Sequence, residues 1–279
     1  MELLDWVPSN KLSFAMLQMN PNAIDHIEKH HVPKMWPLLS TNPGALCYLY
    51  NDPTMLSING CWLKNPNPAI IPILEKYSPI QLPFVKEMLL ENPNALDLVD
   101  LDDKYVTCHL HLLAKNTSPR AMQIIEKYVY LLSDVAWENL SANPGAIHII
   151  EKHLDKVDWM ALCSNPSAIH LLLKLPYRIY WFHFSKNTHP LAIEHMRKNL
   201  DKVNWQNLSA NPAAIELLKE NQDKIAWYWL SKNPAIFEYN YLKMAKARTD
   251  IIREDLVSVA LHPDRVSEWL KQGLRLADL

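Results

Sequence analysis

The 279 residues carry 28 basic and 30 acidic side chains, a formal net charge of −2, and 49% hydrophobic residues, enough for a substantial core. Only four glycines (Gly44, Gly60, Gly145 and Gly273) stand against 20 prolines, which excludes a phosphate-binding glycine loop and the many tight turns of an all-β domain. The charge balance removes any general demand for a polyanionic partner. Four scattered cysteines without a Cys-x-x-Cys pair point to a reducing compartment.

Residues 1–17 contain Trp6 and a Ser9-Asn10 helix start, but no basic stretch followed by an apolar run. They are expected to be an N-terminal cap rather than a signal peptide. No stretch of 18 uncharged apolar residues occurs, so no membrane span is expected.

Residues 18–240 read as a helical repeat array. Asn-Pro occurs nine times, and the asparagines that mark the units are Asn20, Asn42, Asn65, Asn92, Asn116, Asn143, Asn165, Asn187, Asn211 and Asn233. Their basal spacing is 22 residues, and two units insert two residues before the proline, at Asn116-Thr117-Ser118-Pro119 and Asn187-Thr188-His189-Pro190. An Asn side chain can cap a helix whose first residue is Pro. In the sixth unit this predicts a helix from about Pro144 to His153, with Ala146, Ile147 and Ile150 on one stripe. Asp155 then caps a second, shorter helix that turns Val157, Trp159 and Leu162 inward and ends near Ser164, before the next Asn-Pro. Tryptophan stands six residues before the asparagine at Trp36, Trp137, Trp159, Trp181, Trp205 and Trp227, with Phe14 in the first unit. Helices this short need neighbours to bury such side chains, so the row is expected to be core, and the architecture all-α: an α-solenoid of about ten two-helix repeats. Units at Asn65, Asn92 and Asn116 lack that tryptophan and are irregularly spaced. Residues 241–279 form a C-terminal helical cap, with helices over Arg253–Leu261 and Pro263–Gln272 and Gly273 closing the last.

The Leu-Ser-x-Asn-Pro-x-Ala-Ile unit, preceded by Asp-Lys-Val/Ile-x-Trp, and the ending His262-Pro263-Asp264-Arg265-Val266-Ser267-Glu268-Trp269-Leu270 resemble a repeat family of nucleocytoplasmic large DNA viruses. The resemblance implies a helical repeat protein of the infected cell, in host cytoplasm or virion. It implies no catalytic activity or ligand.

Chemistry must therefore be sought in residues that break the repeat. Cys108-His109-Leu110-His111 has zinc-type donors, but successive helical positions diverge and no second pair exists, so no metal or other cofactor is expected. His26, His30 and His31 end the first helix, where a cation complements the helix dipole. Ser40, Ser141, Ser185, Ser209 and Ser231 occupy one repeat position, unlike a unique nucleophile, so the chain is expected not to be an enzyme. A polar row five positions after the asparagine, including Asp25, His148, His170 and Glu216, varies as a partner-reading surface would. Aromatic density exceeds what the repeat requires around Tyr177, Arg178, Tyr180, Phe182, Tyr228 and Trp229, which is hot-spot composition for a protein partner. The expected function is a non-enzymatic scaffold for protein–protein interaction. The rival functions are RNA binding along a groove, which needs basic residues on one face, and a hydrolase site in the irregular units.

Overall fold

The structure is a computed structural model that describes residues 1–55, 60–77 and 83–273. It is all-α, with one minimal pair of two-residue strands, Glu2–Leu3 and Phe237–Glu238. The chain divides into two compact units, one of residues 3–237 and one of residues 1–2 with 238–279.

Within residues 3–237, each Asn-Pro starts a turn as its sequence requires. Asn143 is extended (φ −82°, ψ 117°), and its side chain accepts from the Gly145 amide. The helix it opens is shorter and tighter than expected: a 3₁₀ turn over Pro144–Ala146 followed by one α-turn over Ile147–Ile150. Asn165 and Asn211 cap Pro166–Ala168 and Pro212–Ala214 in the same way. Where two residues are inserted, the cap moves to the inserted residue, Ser118 over Pro119–Lys127 and His189 over Pro190–Arg197. The second helix also differs from expectation. Asp158, not Asp155, caps it by accepting from Ala161, and it covers only Trp159–Leu162. A carboxylate one residue before the helix reaches the orphan amides, whereas Asp155 lies a turn too early.

The core sits three residues either side of the asparagine. Three before it, Leu17, Leu39, Trp62, Leu89, Leu113, Leu140, Leu162, Phe184, Leu208 and Leu230 are fully buried. Three after it, Ala23, Ala45, Ala95, Ala146, Ala168 and Ala214 are equally buried, small enough to let successive turns approach. The tryptophan row is less buried than its spacing suggests: Trp137 is buried, but Trp159, Trp181, Trp205 and Trp227 are half-buried. Each of these four has one ring face covered by a cation, from Arg178, Lys202, Lys224 and Lys11 respectively, at 5.2, 5.6, 5.1 and 4.7 Å. It is the charged heads of these residues that lie over the rings, as cation–π contacts.

The unit of residues 1–2 and 238–279 contains a 20-residue helix, Tyr241–Ala260, and a second over Pro263–Lys271. The first starts twelve residues before the expected Arg253, because Asn240 caps it by accepting from Lys243. Gly273 has φ +91°, the left-handed backbone of a helix end.

Candidate binding surface

The ten asparagines do more than cap. All are buried. Each side-chain oxygen accepts the amide two residues on, as in Asn22 to Asn20 and Ser167 to Asn165. Each Nδ2 then donates to two carbonyls of the preceding unit: that unit's own asparagine and the residue two before it. Asn165 donates to Asn143 and Ser141 at 2.9 and 3.0 Å, and Asn92 to Asn65 and Leu63 at 3.0 and 2.9 Å. The irregular units at Asn65, Asn92 and Asn116 keep this pattern intact. The series does not stop at its ends. Asn20 donates to Asn233 at 2.7 Å and to Ser231 at 3.1 Å, so ten asparagines form a closed cycle.

Two other periodic contacts close at the same place. Ser141, Ser185 and Ser209 accept from the amides of Asp158, Asn204 and Ala226, and Ser231 accepts from Ser13 at 2.8 Å. The cation over tryptophan reaches back from Arg178, Lys202 and Lys224 onto Trp159, Trp181 and Trp205, and Lys11 continues it onto Trp227. Residues 1–17, expected as a cap, thus supply Lys11 and Ser13 to contacts with the tenth unit. The serine row is satisfied within the frame, since Ser141, Ser185, Ser209 and Ser231 also donate to the tryptophan carbonyl four residues back.

On this frame the aromatic candidates separate into groups. Tyr177 is 76% exposed, Phe182 51%, and Tyr228 53%. Tyr180 is exposed and Trp229 half-buried. Arg178 lies 5.2 Å from the Trp159 ring and 5.7 Å from Tyr177, so its guanidinium already does the covering task that lysine does in other units. Tyr228 and Trp229 meet edge to face at 5.5 Å. Phe182 belongs to the helix Trp181–Phe184 and Tyr228 to Trp227–Leu230. The helix Trp205–Ser209 comes between them in the repeat, tied to the first through Asn207 Nδ2, which donates to the Phe182 carbonyl at 2.7 Å.

Sequence reasoning missed two lysines beside these rings. Lys186 lies 5.3 Å from the Phe182 ring and Lys232 4.7 Å from Trp229. Burial, then the Lys186 charge, pushes the Lys232 amine below its ordinary value. Burial, then Lys186, lowers His183 likewise. Lys186 and His183 also edge a shallow groove of about 360 Å³ with Glu138, Asp158 and Met160. The signal was in the chain: both lysines immediately precede a repeat asparagine.

The other candidates fall elsewhere. His109 breaks its segment into the helices Asp103–Cys108 and Leu110–Leu113, and its Nδ1 lies 2.8 Å from the Tyr105 carbonyl. Among the described residues no group of three His, Cys, Asp or Glu side chains is placed to hold a metal. His26 and His30 pack ring to ring at 4.3 Å at the end of Ile24–Lys29, and His31 follows with a positive φ of 49°. The polar row pairs across units: His170 with Glu151 at 2.8 Å, and His148 with Glu126 at 3.8 Å. In the irregular region, a second shallow groove of about 300 Å³ lies among Thr117, Met122, Gln123, Glu126 and His148. No helix among the described residues is long and apolar enough to cross a membrane.

In comparisons with protein-family models, with curated proteins and with solved structures, nothing matched this chain.

Proposed function

We propose that the chain is a closed α-solenoid of ten two-helix repeats that serves, without catalysis, as a scaffold for another protein, in the infected cell or virion of a large DNA virus. The observation that carries the scaffold reading is the asparagine cycle. A frame whose every unit is tied to the next by buried side-chain bonds presents its outward residues at fixed, repeated positions. Pre-organised surfaces lose little entropy on binding. Phe182 and Tyr228, exposed where other units carry Glu138 and Gln206, are the aromatic anchors of the proposed contact. The viral assignment rests on the repeat's resemblance alone.

The test is affinity capture from infected cells, compared between the wild-type chain and the double variant Phe182→Ala/Tyr228→Ala. One protein retained by the wild type and lost at least tenfold by a variant of unchanged thermal stability supports the reading. Equal retention by the folded variant moves the contact elsewhere, to the row that includes His148, His170 and Glu216.

A further inference from the structure

The position immediately before each repeat asparagine forms a row around the frame. In unit order it reads Met19, Thr41, Lys64, Glu91, Lys115, Ala142, Ser164, Lys186, Ala210, Lys232. Each of these residues lies between the two carbonyls that the next asparagine holds, so the backbone places them equivalently.

The row contains one arrangement twice. At units three to five, Lys64 and Lys115 flank Glu91. Both ammonium groups reach its carboxylate, at 2.7 and 3.3 Å. Burial pushes Glu91 up, but the two lysines outweigh it and hold the carboxyl below its ordinary value. At units eight to ten, Lys186 and Lys232 flank Ala210. Here the lysines are the same and the carboxylate is missing. Among the described residues Lys186 and Lys232 form no ion pair, and their recorded contacts are with the faces of Phe182 and Trp229. Glu138 and Asp158, which share the groove with Lys186, are not paired with it. The helix Trp205–Ser209 ends on Ala210 with αR backbone (φ −82°, ψ −8°), and its methyl side chain supplies no carboxylate where Glu91 stands in the other triplet.

We propose that Lys186 and Lys232 are a receptor for a carboxylate from outside the chain, supplied by a glutamate side chain of an acidic peptide segment that lies over Ala210 between Phe182 and Trp229. The Lys64–Glu91–Lys115 triplet is the occupied form of the same receptor within one molecule. Two ammonium groups two units apart converge on one carboxylate there, and they are equivalently based here. The flanking rings suit the aliphatic stem of a glutamate and its peptide neighbours. Lys186 is exposed and Lys232 half-buried, and the burial of Lys232 together with the nearby Lys186 charge disfavours its ammonium, so an incoming anion between the two is favourable. This assignment rests on the partner-binding reading above and names the chemistry of the partner.

The probe is hexaglutamate, titrated against the purified full chain at low salt, with inorganic phosphate and a hexathymidylate oligonucleotide as parallel arms. Hexaglutamate should bind with one-to-one stoichiometry, and Lys186→Met and Lys232→Met should each weaken it at least tenfold. Ala210→Glu should supply the carboxylate internally, abolish hexaglutamate binding and raise the melting temperature. Binding within twofold of wild type in the folded lysine variants, or in Ala210→Glu, overturns the site. Tighter binding of phosphate or the oligonucleotide, lost in the same variants, overturns the carboxylate assignment and points to a phosphate ligand. Because the peptide is titrated directly, loss of this proposal leaves the Phe182/Tyr228 capture result standing by itself.

Discussion

Asn20 and Asn233 are 213 positions apart in the chain, yet Asn20 Nδ2 donates to the Asn233 carbonyl at 2.7 Å. The bond has the same donor, acceptor and register as the nine that join consecutive units. A repeat array normally leaves two ends, where units lack a neighbour and fray. Here the first and last asparagines are neighbours, and neither has an unsatisfied face.

Replacing Asn165 by Asp separates capping from bridging. Asp caps helices as well as Asn does, so a simple cap tolerates the change. Asn165 also donates to Ser141 and Asn143. A carboxylate cannot donate and would face two carbonyls in a buried place. Asn165→Asp is expected to cost more than Asn165→Ala, which itself loses about 2–4 kcal/mol from three hydrogen bonds and a stranded Ser141 carbonyl, while the Asn143 carbonyl keeps the Ala146 amide. Urea unfolding of both variants checks the order, and equal stability of Asp and Asn would leave only the cap.

Asn20→Asp tests closure. In an open array a lesion in the first unit frays that end alone. In the closed cycle it breaks the joint to Asn233 and Ser231. Amide hydrogen exchange is expected to quicken in the tenth unit, at Ala235 and Ile236, as well as in the first, at Ala23. Unchanged protection at Ala235 and Ile236 would contradict closure in solution.

Trp62 occupies the core position that is leucine in eight units and Phe184 in another. Its Nε1 is buried with no hydrogen-bond partner among the described residues. An unpaired buried donor is destabilising, and an apolar ring of similar shape removes that cost. Trp62→Phe is therefore expected to fall between neutral and about 1 kcal/mol more stable despite its smaller ring. A loss of about 2 kcal/mol or more, read by thermal or urea unfolding, would mean that lost packing around the smaller ring outweighs removal of the unpaired N–H.

Acid should weaken the fold in two stages. Burial, with His30 and Lys29, depresses His26, and burial, with Lys186, depresses His183. A histidine depressed in the folded state leaves the unfolded chain binding more protons just below pH 6.5, so stability falls as pH drops from there toward the folded-state values. Glu91 is lowered instead, so its contribution is present above its ordinary value of 4.5 and lost only below it. The urea midpoint is expected to decline between pH 7.5 and 5.5, and His26→Gln/His183→Gln should flatten that decline while leaving the drop below pH 4.5. An unchanged slope in the double variant would assign the first stage to other groups.

The repeat motif, its period and the asparagine caps were legible in the residues because they are local, whereas the second helix is capped by Asp158 and not by the expected Asp155. Asn before Pro restricts its own backbone and reaches an amide two positions away, whatever the neighbouring units do. The leucine and alanine flanking it could also be recognised as core from spacing. The half-burial of Trp159, Trp181, Trp205 and Trp227 was not legible. Trp159, Trp181 and Trp205 are covered by a lysine or arginine about twenty residues on, and Trp227 by Lys11 from the other end of the chain. The C-terminal helix was legible in kind but not in length, since Asn240 caps it earlier than its apolar pattern begins. Of the candidate surface, the aromatic excess at Phe182 and Tyr228 was visible in the sequence, whereas the Lys186–Ala210–Lys232 arrangement was not. Its three members are 24 and 22 residues apart and become a site only when units stack. The sequence by itself determined what each unit is. Only the tertiary structure decided that the asparagine series returns to its start, because the bond from Asn20 to Asn233 joins residues 213 positions apart and belongs to no single unit.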